Sequence, residues 1–222
     1  MTGEAGGVRV GDLMVGYGGQ PVLENLELFV PPGEIAAIRG SSGSGKTTLL
    51  RALAGFLRPQ RGTIELGGQL VSGPGVWMPT ERRNIGLVPQ EGALFPHLDV
   101  AGNVGFGLPR RTRGERRATA ERVAYLLALV DLPGSERLRP HELSGGMQQR
   151  VAVARALARE PSCILLDEPF SALDADLRRE LREQVRRLLK KVGTTAILVT
   201  HDEAEAREFA DRVHRMSGRQ LD

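Results

Sequence analysis

The sequence predicts an α/β fold with a mainly parallel sheet. Short apolar runs alternate along the chain with stripes of apolar residues at helical spacing, which is the pattern of strands and helices in turn. Residues 163–166 and 195–199 are almost entirely apolar, as expected of parallel strands that are buried on both faces. With 222 residues, 41% hydrophobic and 26% charged, the chain has the composition of a globular domain with a substantial core.

The elements of the first half follow from apolar runs and turn residues. Two strands are predicted over residues 8–15 and 22–30, before the turn-forming Pro and Gly residues at 31–33. A third strand over residues 34–38 leads, through a glycine-rich segment, into a helix from Lys46 to about Leu57. Residues 63–66 and 85–88 are predicted to be further strands.

The middle of the chain is predicted to be mostly helical. Apolar positions recur at helical spacing within residues 115–130, and residues 144–159 also favour a helix. We therefore expect a single domain over residues 1–222. Its core is formed by residues 1–90 and 161–222, and an inserted helical subdomain by residues 91–160.

Two charged segments are interpreted as solvent-exposed helix faces. Residues 174–192 predict an amphipathic surface helix, whose apolar stripe is Leu177, Leu181, Val185, Leu188 and Val192. The arginine-rich run at residues 110–122 has no interleaved aromatic residues, so a solvated face is favoured over a binding patch for an anionic partner.

Composition excludes several classes of protein. The single cysteine, Cys163, excludes an intramolecular disulfide framework and a cysteine cluster for zinc or iron–sulfur chemistry, and it is predicted to be a buried apolar residue. A net charge of +3 gives little support for nucleic-acid binding. The sequence shows no signal peptide and no apolar run near the ~18 residues of a membrane helix, so we expect a cytoplasmic chain whose membrane partners are separate.

A glycine-rich segment predicts a phosphate-binding loop. It matches G-x-x-x-x-G-K-[ST] between a predicted strand and a predicted helix. Backbone N–H groups of such a loop surround phosphate oxygens, Lys46 adds a compact charge, and the Thr47 hydroxyl is placed to bind Mg²⁺. Only three of the chain's 30 basic residues are lysines, and Lys46 alone stands at a special position. The loop and the residue after it are Gly40, Ser41, Ser42, Gly43, Ser44, Gly45, Lys46, Thr47 and Thr48.

A second motif completes a nucleoside-triphosphate site. The apolar strand at residues 163–166 runs into Asp167 and Glu168. An acid at the end of such a strand can hold Mg²⁺, which is the role assigned to Asp167. Glu168 is placed to orient and deprotonate an attacking water, and the alternative is an acid at a strand end without a catalytic role. Together the two motifs predict a P-loop NTPase core.

The segment Leu143-Ser-Gly-Gly-Met-Gln-Gln-Arg150, just upstream of that strand, indicates a family. With the phosphate loop, it resembles the ATP-binding-cassette (ABC) transporter ATPases over residues 8–216. The resemblance implies an N-terminal antiparallel β subdomain and an inserted α-helical subdomain. It also implies that Ser144, Gly145 and Gly146 meet ATP bound to a second subunit, where a helix N-terminus favours negative charge. Alone, these residues would predict only a helix cap and a turn.

The resemblance extends to four further positions. It implies that Tyr17 stacks on adenine, that Gln90 reaches Mg²⁺ and the attacking water, that Asp174 lies in a loop (residues 171–174) facing the opposite subunit, and that His201 contacts the γ-phosphate.

Each of these four residues also has an ordinary structural interpretation. Tyr17 would otherwise flank a turn, Gln90 would face solvent, and Asp174 would cap the next helix. For His201 the alternative is a first-turn residue, because Thr200 and Glu203 match a capping box.

The resemblance also implies partners. One phosphate loop and one signature segment (residues 143–150) in a chain imply a head-to-tail homodimer with two shared ATP sites. Membrane-spanning permease subunits, contacted near residues 91–98, and a solute-binding protein would complete a transporter on the inner face of the cell membrane. Residues 90–100 and 105–108 resemble importer ATPases for ferric iron, sulfate, polyamines or sugars, and favour ferric iron among these.

The sequence departs from the family pattern in two respects. Met147 stands where many members have glutamine. Residue 222 ends the sequence where many importers continue into a regulatory β domain, so a minimal cassette and a longer protein both stay open.

A soluble ABC-type ATPase acting on nucleic acid or ribosomes usually has coiled-coil insertions, zinc motifs or two cassettes, which this sequence lacks. A non-ABC nucleotide enzyme, such as a small kinase or a GTPase, is a further alternative. A GTPase would need an Asn/Thr-Lys-x-Asp string, and no lysine here is followed by x-Asp.

Overall fold

The computed structural model describes residues 6–90, 94–171, 173–217 and 219–222, and these form two sheets flanked by helices. The strands are β1 (Val8–Tyr17), β2 (Gln20–Val30), β3 (Ile35–Arg39), β4 (Arg61–Leu66), β5 (Gln69–Gly73), β6 (Val76–Trp77), β7 (Ile85–Val88), β8 (Cys163–Asp167), β9 (Thr195–Thr200), β10 (Arg212–Ser217) and β11 (Gln220–Leu221). The helices are α1 (Lys46–Ala54), α2 (Val100–Val104), α3 (Arg113–Leu129), α4 (Gly145–Leu157), α5 (Ala175–Val192) and α6 (Glu203–Phe209).

The first sheet is antiparallel, as the family resemblance implied, with the strand order β2-β1-β4-β5-β6. A two-residue turn joins β1 to β2, and both of its glycines have positive φ, 56° at Gly18 and 81° at Gly19. Such turns match the twist of a hairpin, and glycine adopts them without steric cost. The short strands β5 and β6 escaped the sequence analysis because neither carries a clear alternation of apolar residues.

The second sheet has the order β11-β10-β3-β9-β8-β7, and all of its strands except β11 are parallel. Every residue of β9 is buried, as is every residue of β8 before Asp167. This confirms the prediction of two doubly buried parallel strands. Since β3, β9, β8 and β7 are parallel neighbours, the loops that follow Arg39, Thr200, Asp167 and Val88 all leave the same edge of the sheet.

The parallel sheet separates two hydrophobic cores. On one face Ile164, Leu166 and Leu198 pack with residues of α3, α4, α5 and α6, which we call the helical-face core. On the other face Leu165, Ile197 and Val199 pack with β1, β2 and α1, which we call the antiparallel-face core. The alternation arises because successive side chains of a strand point to opposite faces.

The helices α3 and α4 begin and end within two residues of their predicted limits, whereas the short helix α2 was not predicted. Thr112 and Glu115 form a reciprocal capping box at the start of α3, and Ser144 caps α4. In contrast, α1 ends at Ala54 rather than near Leu57. Gly55 there adopts a left-handed conformation with φ 87°, and its N–H bonds back to the helix, which terminates it.

The amphipathic helix α5 is confirmed. Leu181, Val185, Leu188 and Leu189 are its buried apolar residues, and Asp174 is its N-cap. Throughout the residues that the structure describes, we find no helix whose length and apolarity would let it cross a membrane.

Candidate functional site

The loop after β3 has the backbone of an anion cradle. Gly43 and Gly45 have φ of 79° and 101°, in the left-handed region that favours glycine. A Cβ atom at Gly45 would lie 2.6 Å from Cδ2 of Leu23, so this position has no space for a side chain. The N–H of Gly40 donates to the carbonyl oxygen of Thr200 at 3.4 Å, which fixes the loop beside the end of β9.

Lys46 lies inside this loop. Its side chain is 6% exposed, and Nζ donates to the carbonyl oxygens of Gly40 at 2.8 Å and Ser41 at 2.9 Å. The first turn of α1 has no acidic residue and no side-chain cap, so its N–H groups and dipole favour an anion. Among the described residues, the buried hydroxyl of Ser44 has no hydrogen-bond partner. A phosphate group would satisfy these donors.

Thr47 and Asp167 meet at the same edge of the sheet. A hydrogen bond with the Thr47 side chain is among the influences that lower the pKa of Asp167. Burial raises the pKa of Asp167, and the negative charge of Glu168 raises it further, against the opposing effects of Arg51, Lys46 and Thr47. A hydroxyl and a carboxylate are oxygen ligands of the kind that Mg²⁺ prefers, so these two side chains fit a magnesium ion.

Glu168 and His201 form a pair. Oε2 of Glu168 lies 3.0 Å from Nδ1 of His201, and the two side chains are 20% and 62% exposed. Glu168 has a left-handed φ of 42°, which is costly for a residue with a Cβ atom, and its N–H donates to the carbonyl oxygen of Val199 at 3.0 Å. On the other side of the same residue, the backbone N–H and the hydroxyl of Ser171 both donate to the Glu168 carbonyl oxygen. This backbone directs the carboxylate towards the loop that follows β9.

The structure corrects the capping box that Thr200 and Glu203 suggested. The N-cap of α6 is Asp202, whose Oδ1 accepts from the N–H of Glu205 at 3.1 Å. Thr200 ends β9, and its hydroxyl accepts from the N–H of Asp202 at 3.0 Å. The strand extends one residue further than predicted. The helix therefore begins too far along the chain for Thr200 to be its N-cap. His201 therefore lies between strand and cap, outside the helix.

Gln90 follows β7 at the same edge of the sheet. Val88 pairs with Leu166 of β8, which places the start of this loop next to the strand that ends in Asp167. Gln90 is exposed. The predicted contact at residues 91–98 lies in part outside the described residues, because Glu91, Gly92 and Ala93 are not among them.

Tyr17 ends β1 and is held against α1. Its hydroxyl accepts from Nη1 of Arg51 at 3.1 Å, and the residue is 46% exposed. Burial raises the pKa of Tyr17, but hydrogen bonds with Arg51 and Thr48 and the charge of Arg51 outweigh it, so the net pKa is lowered. The sequence analysis did not identify Arg51 as a site residue. It lies one helical turn after Thr47, on the same face of α1, and that spacing could have indicated it.

The signature segment and the loop at residue 174 have the geometry of helix caps. Oγ of Ser144 accepts from the N–H of Met147 at 3.3 Å, and Oδ1 of Asp174 accepts from the N–H of Leu177 at 3.0 Å. Gly145 is exposed, and Gly146 is packed so closely on Leu177 that a Cβ atom would lie 3.2 Å from it. In the part of the chain that the structure describes, no hydrogen bond joins this segment to residues 40–48; Ala172, in the predicted contact loop, lies outside that part.

Comparisons with known proteins place this geometry in a family. The model of the ABC transporter family matches residues 23–171. A Fe(3+) ions import ATP-binding protein of Rhodococcus jostii is 56% identical over 206 residues, which make up 92% of this chain and 58% of that protein. One from Pseudomonas fluorescens is 54% identical over 198 residues, 89% of this chain and 55% of that protein. The chain thus spans less than two thirds of the length of these curated relatives.

A solved structure supports the same assignment. The dimeric, post-hydrolysis state of the ATP-binding cassette MJ0796, bound to ADP and Pi, superposes with a TM-score of 0.78 at 30% identity, covering 97% of this chain and 96% of that chain. The fold, the phosphate loop and the match to the family model agree. The chain belongs to the ABC transporter family.

Proposed function

We propose that this chain is the ATP-hydrolysing subunit of an ABC importer. The observation that carries the proposal is the meeting of four elements at one sheet edge: the cradle around Lys46, the Thr47–Asp167 pair, the Glu168–His201 pair and the loop of Gln90. The family match and the ADP- and Pi-bound structural relative support ATP as the substrate.

Substrate binding uses the loop and the start of α1. Backbone N–H groups of residues 40–48 surround the phosphates, and Lys46 turns its ammonium from the carbonyl oxygens of Gly40 and Ser41 to the β- and γ-phosphates. The ring of Tyr17 stacks on adenine. Thr47, Asp167 and Gln90 would hold Mg²⁺, which would neutralise charge on the phosphate oxygens.

Glu168 acts as the general base. It takes a proton from a water molecule whose oxygen attacks the γ-phosphorus, while the bond from that phosphorus to the β–γ bridging oxygen breaks. His201 orients the carboxylate through the 3.0 Å contact and meets the γ-phosphate. The strained φ of Glu168 is maintained by the hydrogen bonds of its own N–H and carbonyl groups.

A head-to-tail homodimer completes the site. Ser144 and Gly145 leave the N-terminus of α4 exposed, Gly146 packs on Leu177 behind it, and Asp174 caps the neighbouring helix. In the proposed dimer this surface covers the γ-phosphate bound by the partner subunit. The helical subdomain at residues 91–160 forms one side of the interface, and closure on ATP followed by opening after hydrolysis performs the mechanical work.

The import role and the cargo are proposed from the relatives. Several proteins that are 50–56% identical to this chain carry the name of Fe(3+) import ATP-binding proteins, which supports ferric iron. The proposed partners are membrane-spanning permease subunits, contacted near residues 91–98, and a solute-binding protein. The chain would then act at the inner face of the cell membrane.

Substitution of the base tests the proposal. Glu168→Gln keeps the shape of the side chain and removes its basicity, so we expect ATP binding to persist, turnover to fall by about 10²-fold or more, and a dimer to accumulate with ATP. The measurements are phosphate release and size-exclusion chromatography. Glu121→Gln, in an exposed ion pair on α3, is the matched control and should behave as wild type. Unchanged turnover in Glu168→Gln would refute the assignment of the base.

A further inference from the structure

A buried carboxylate lies behind the Glu168–His201 pair. Glu205, on α6, is 5% exposed. One of its oxygens, Oε2, accepts from the Thr200 hydroxyl, and the other, Oε1, is buried and has no hydrogen-bond partner among the described residues. A carboxylate in this position costs free energy, because burial disfavours the charged form. Such a cost calls for a function of the group besides packing.

The Thr200 hydroxyl joins Glu205 to the backbone on either side of His201. Thr200 is 1% exposed, and Oγ1 accepts from the N–H of Asp202 at 3.0 Å, which closes a turn over His201. A threonine hydroxyl has one proton. When that proton is donated to Glu205, the lone pairs of Oγ1 are directed towards the Asp202 N–H. The carboxylate thereby fixes the direction of the hydroxyl that holds the turn.

Glu205 and the Glu168–His201 pair also line the same cavity. A small cavity of about 70 Å³ is lined by Glu168, His201 and Glu205 together with Arg178 of α5. Arg178 donates to the carbonyl oxygens of Phe170 at 3.1 Å and Leu173 at 2.7 Å, in the loop that follows Glu168. The loops that carry both members of the pair are therefore held by side chains that line one cavity.

We propose that Glu205 is a positioning residue for His201, acting through the Thr200 hydroxyl. In the ATP-bound protein this arrangement holds the imidazole at Glu168 and at the γ-phosphate. The role rests on the ATPase activity proposed above and adds to it a residue that touches neither nucleotide nor metal. Loss of the carboxylate frees the hydroxyl to rotate, so the turn at His201 loosens while the phosphate loop stays intact.

Single-turnover hydrolysis of ATP tests the inference. We expect Glu205→Ala to lower the rate constant of hydrolysis by about tenfold and to change the ATP concentration for half-saturation by less than about twofold, since no binding group is lost. Thr200→Val should produce the same loss, and Thr200→Ser, which retains the hydroxyl, should restore the rate. Glu203→Gln, an exposed carboxylate on the same helix, is the control.

A double-mutant cycle with His201→Ala separates positioning from general destabilisation. If Glu205 acts through His201, Glu205→Ala should have almost no further effect in a His201→Ala background. An equal loss in both backgrounds, or a change in half-saturation alone, would overturn the inference. If Glu205→Ala fails to fold, the comparison of Thr200→Val with Thr200→Ser decides it. An inactive wild type would refute the proposed function, whereas an active wild type with fully active variants would refute this role alone.

Discussion

The substitution Lys46→Arg tests how closely the phosphate loop encloses its ligand. Arginine keeps the positive charge of lysine but replaces a compact ammonium by a planar guanidinium with donors in a fixed fork. The Lys46 ammonium occupies a site that is only 6% exposed and is bounded by two carbonyl oxygens at 2.8 and 2.9 Å. We expect the guanidinium to be too large for this site, so that charge conservation does not preserve the contact with phosphate.

The magnitude follows from the hydrogen bonds at stake. A hydrogen bond to a charged group contributes about 1.5–3 kcal/mol. If Lys46→Arg loses one such bond to ATP, the dissociation constant should rise roughly ten- to 150-fold, since about 1.4 kcal/mol corresponds to a factor of ten.

Isothermal titration with ADP and with ATP, in the presence of Mg²⁺, measures the expected change directly. Lys191→Arg, at an exposed position near the end of α5, supplies the matched control and should bind as wild type does. Thermal unfolding of both variants shows whether the fold is intact. A dissociation constant for Lys46→Arg within twofold of wild type would refute the reasoning that the loop selects a lysine for its size.

Two further predictions concern ionisable groups away from the phosphate loop. Burial raises the pKa of Asp211, but hydrogen bonds from the Ile35 N–H, Lys190 and Arg186 outweigh this effect, and the net pKa is lowered. The ionised Asp211 therefore stabilises the fold fully above the unfolded pKa of about 3.9, and this stabilisation is lost as pH falls through the folded pKa. Asp211→Asn should therefore lower the free energy of unfolding at pH 7 by on the order of 1–3 kcal/mol, and by less at the lowest pH at which wild type stays folded; equal losses in urea titrations at the two pH values would contradict this. Burial raises the pKa of Cys163 to about 12, so the native thiol should resist alkylation at pH 8 and react fully in denaturant. Rapid labelling of the native chain would show that β8 is accessible to the reagent in the folded protein.

Strong local patterns allowed the sequence to predict much of the fold. The doubly buried strands are apolar over most of their length, so β8 and β9 were located within one residue. The phosphate loop has glycines whose left-handed backbone no other residue adopts easily, and Lys46 lies inside that loop. In both cases the local sequence and the tertiary structure favour the same conformation, which is why local reasoning succeeded.

The region after β9 shows why other features could not be predicted. Thr200 and Glu203 match a capping box, but Asp202 and Glu205 match the same pattern two residues later, and only the end of the strand decides between them. The contact between Thr200 and Glu205 depends on the packing of α6 against the sheet, as does the burial of Glu205. The left-handed backbone of Glu168 is likewise held by hydrogen bonds with Val199 and Ser171. The conformational propensity of a glutamate does not predict this backbone.

The division of the parallel sheet between two cores limits how the length of this chain can vary. In β9, Ile197 belongs to the antiparallel-face core and Leu198 to the helical-face core. Inserting one residue within the strand would exchange the faces of every side chain beyond it, and would also shift His201 along the sheet edge. Substitutions that conserve volume can be absorbed by one core at a time. Insertions and deletions are therefore confined to the loops. The number of residues in β3, β8 and β9 is as restricted as the identity of the site residues that follow these strands.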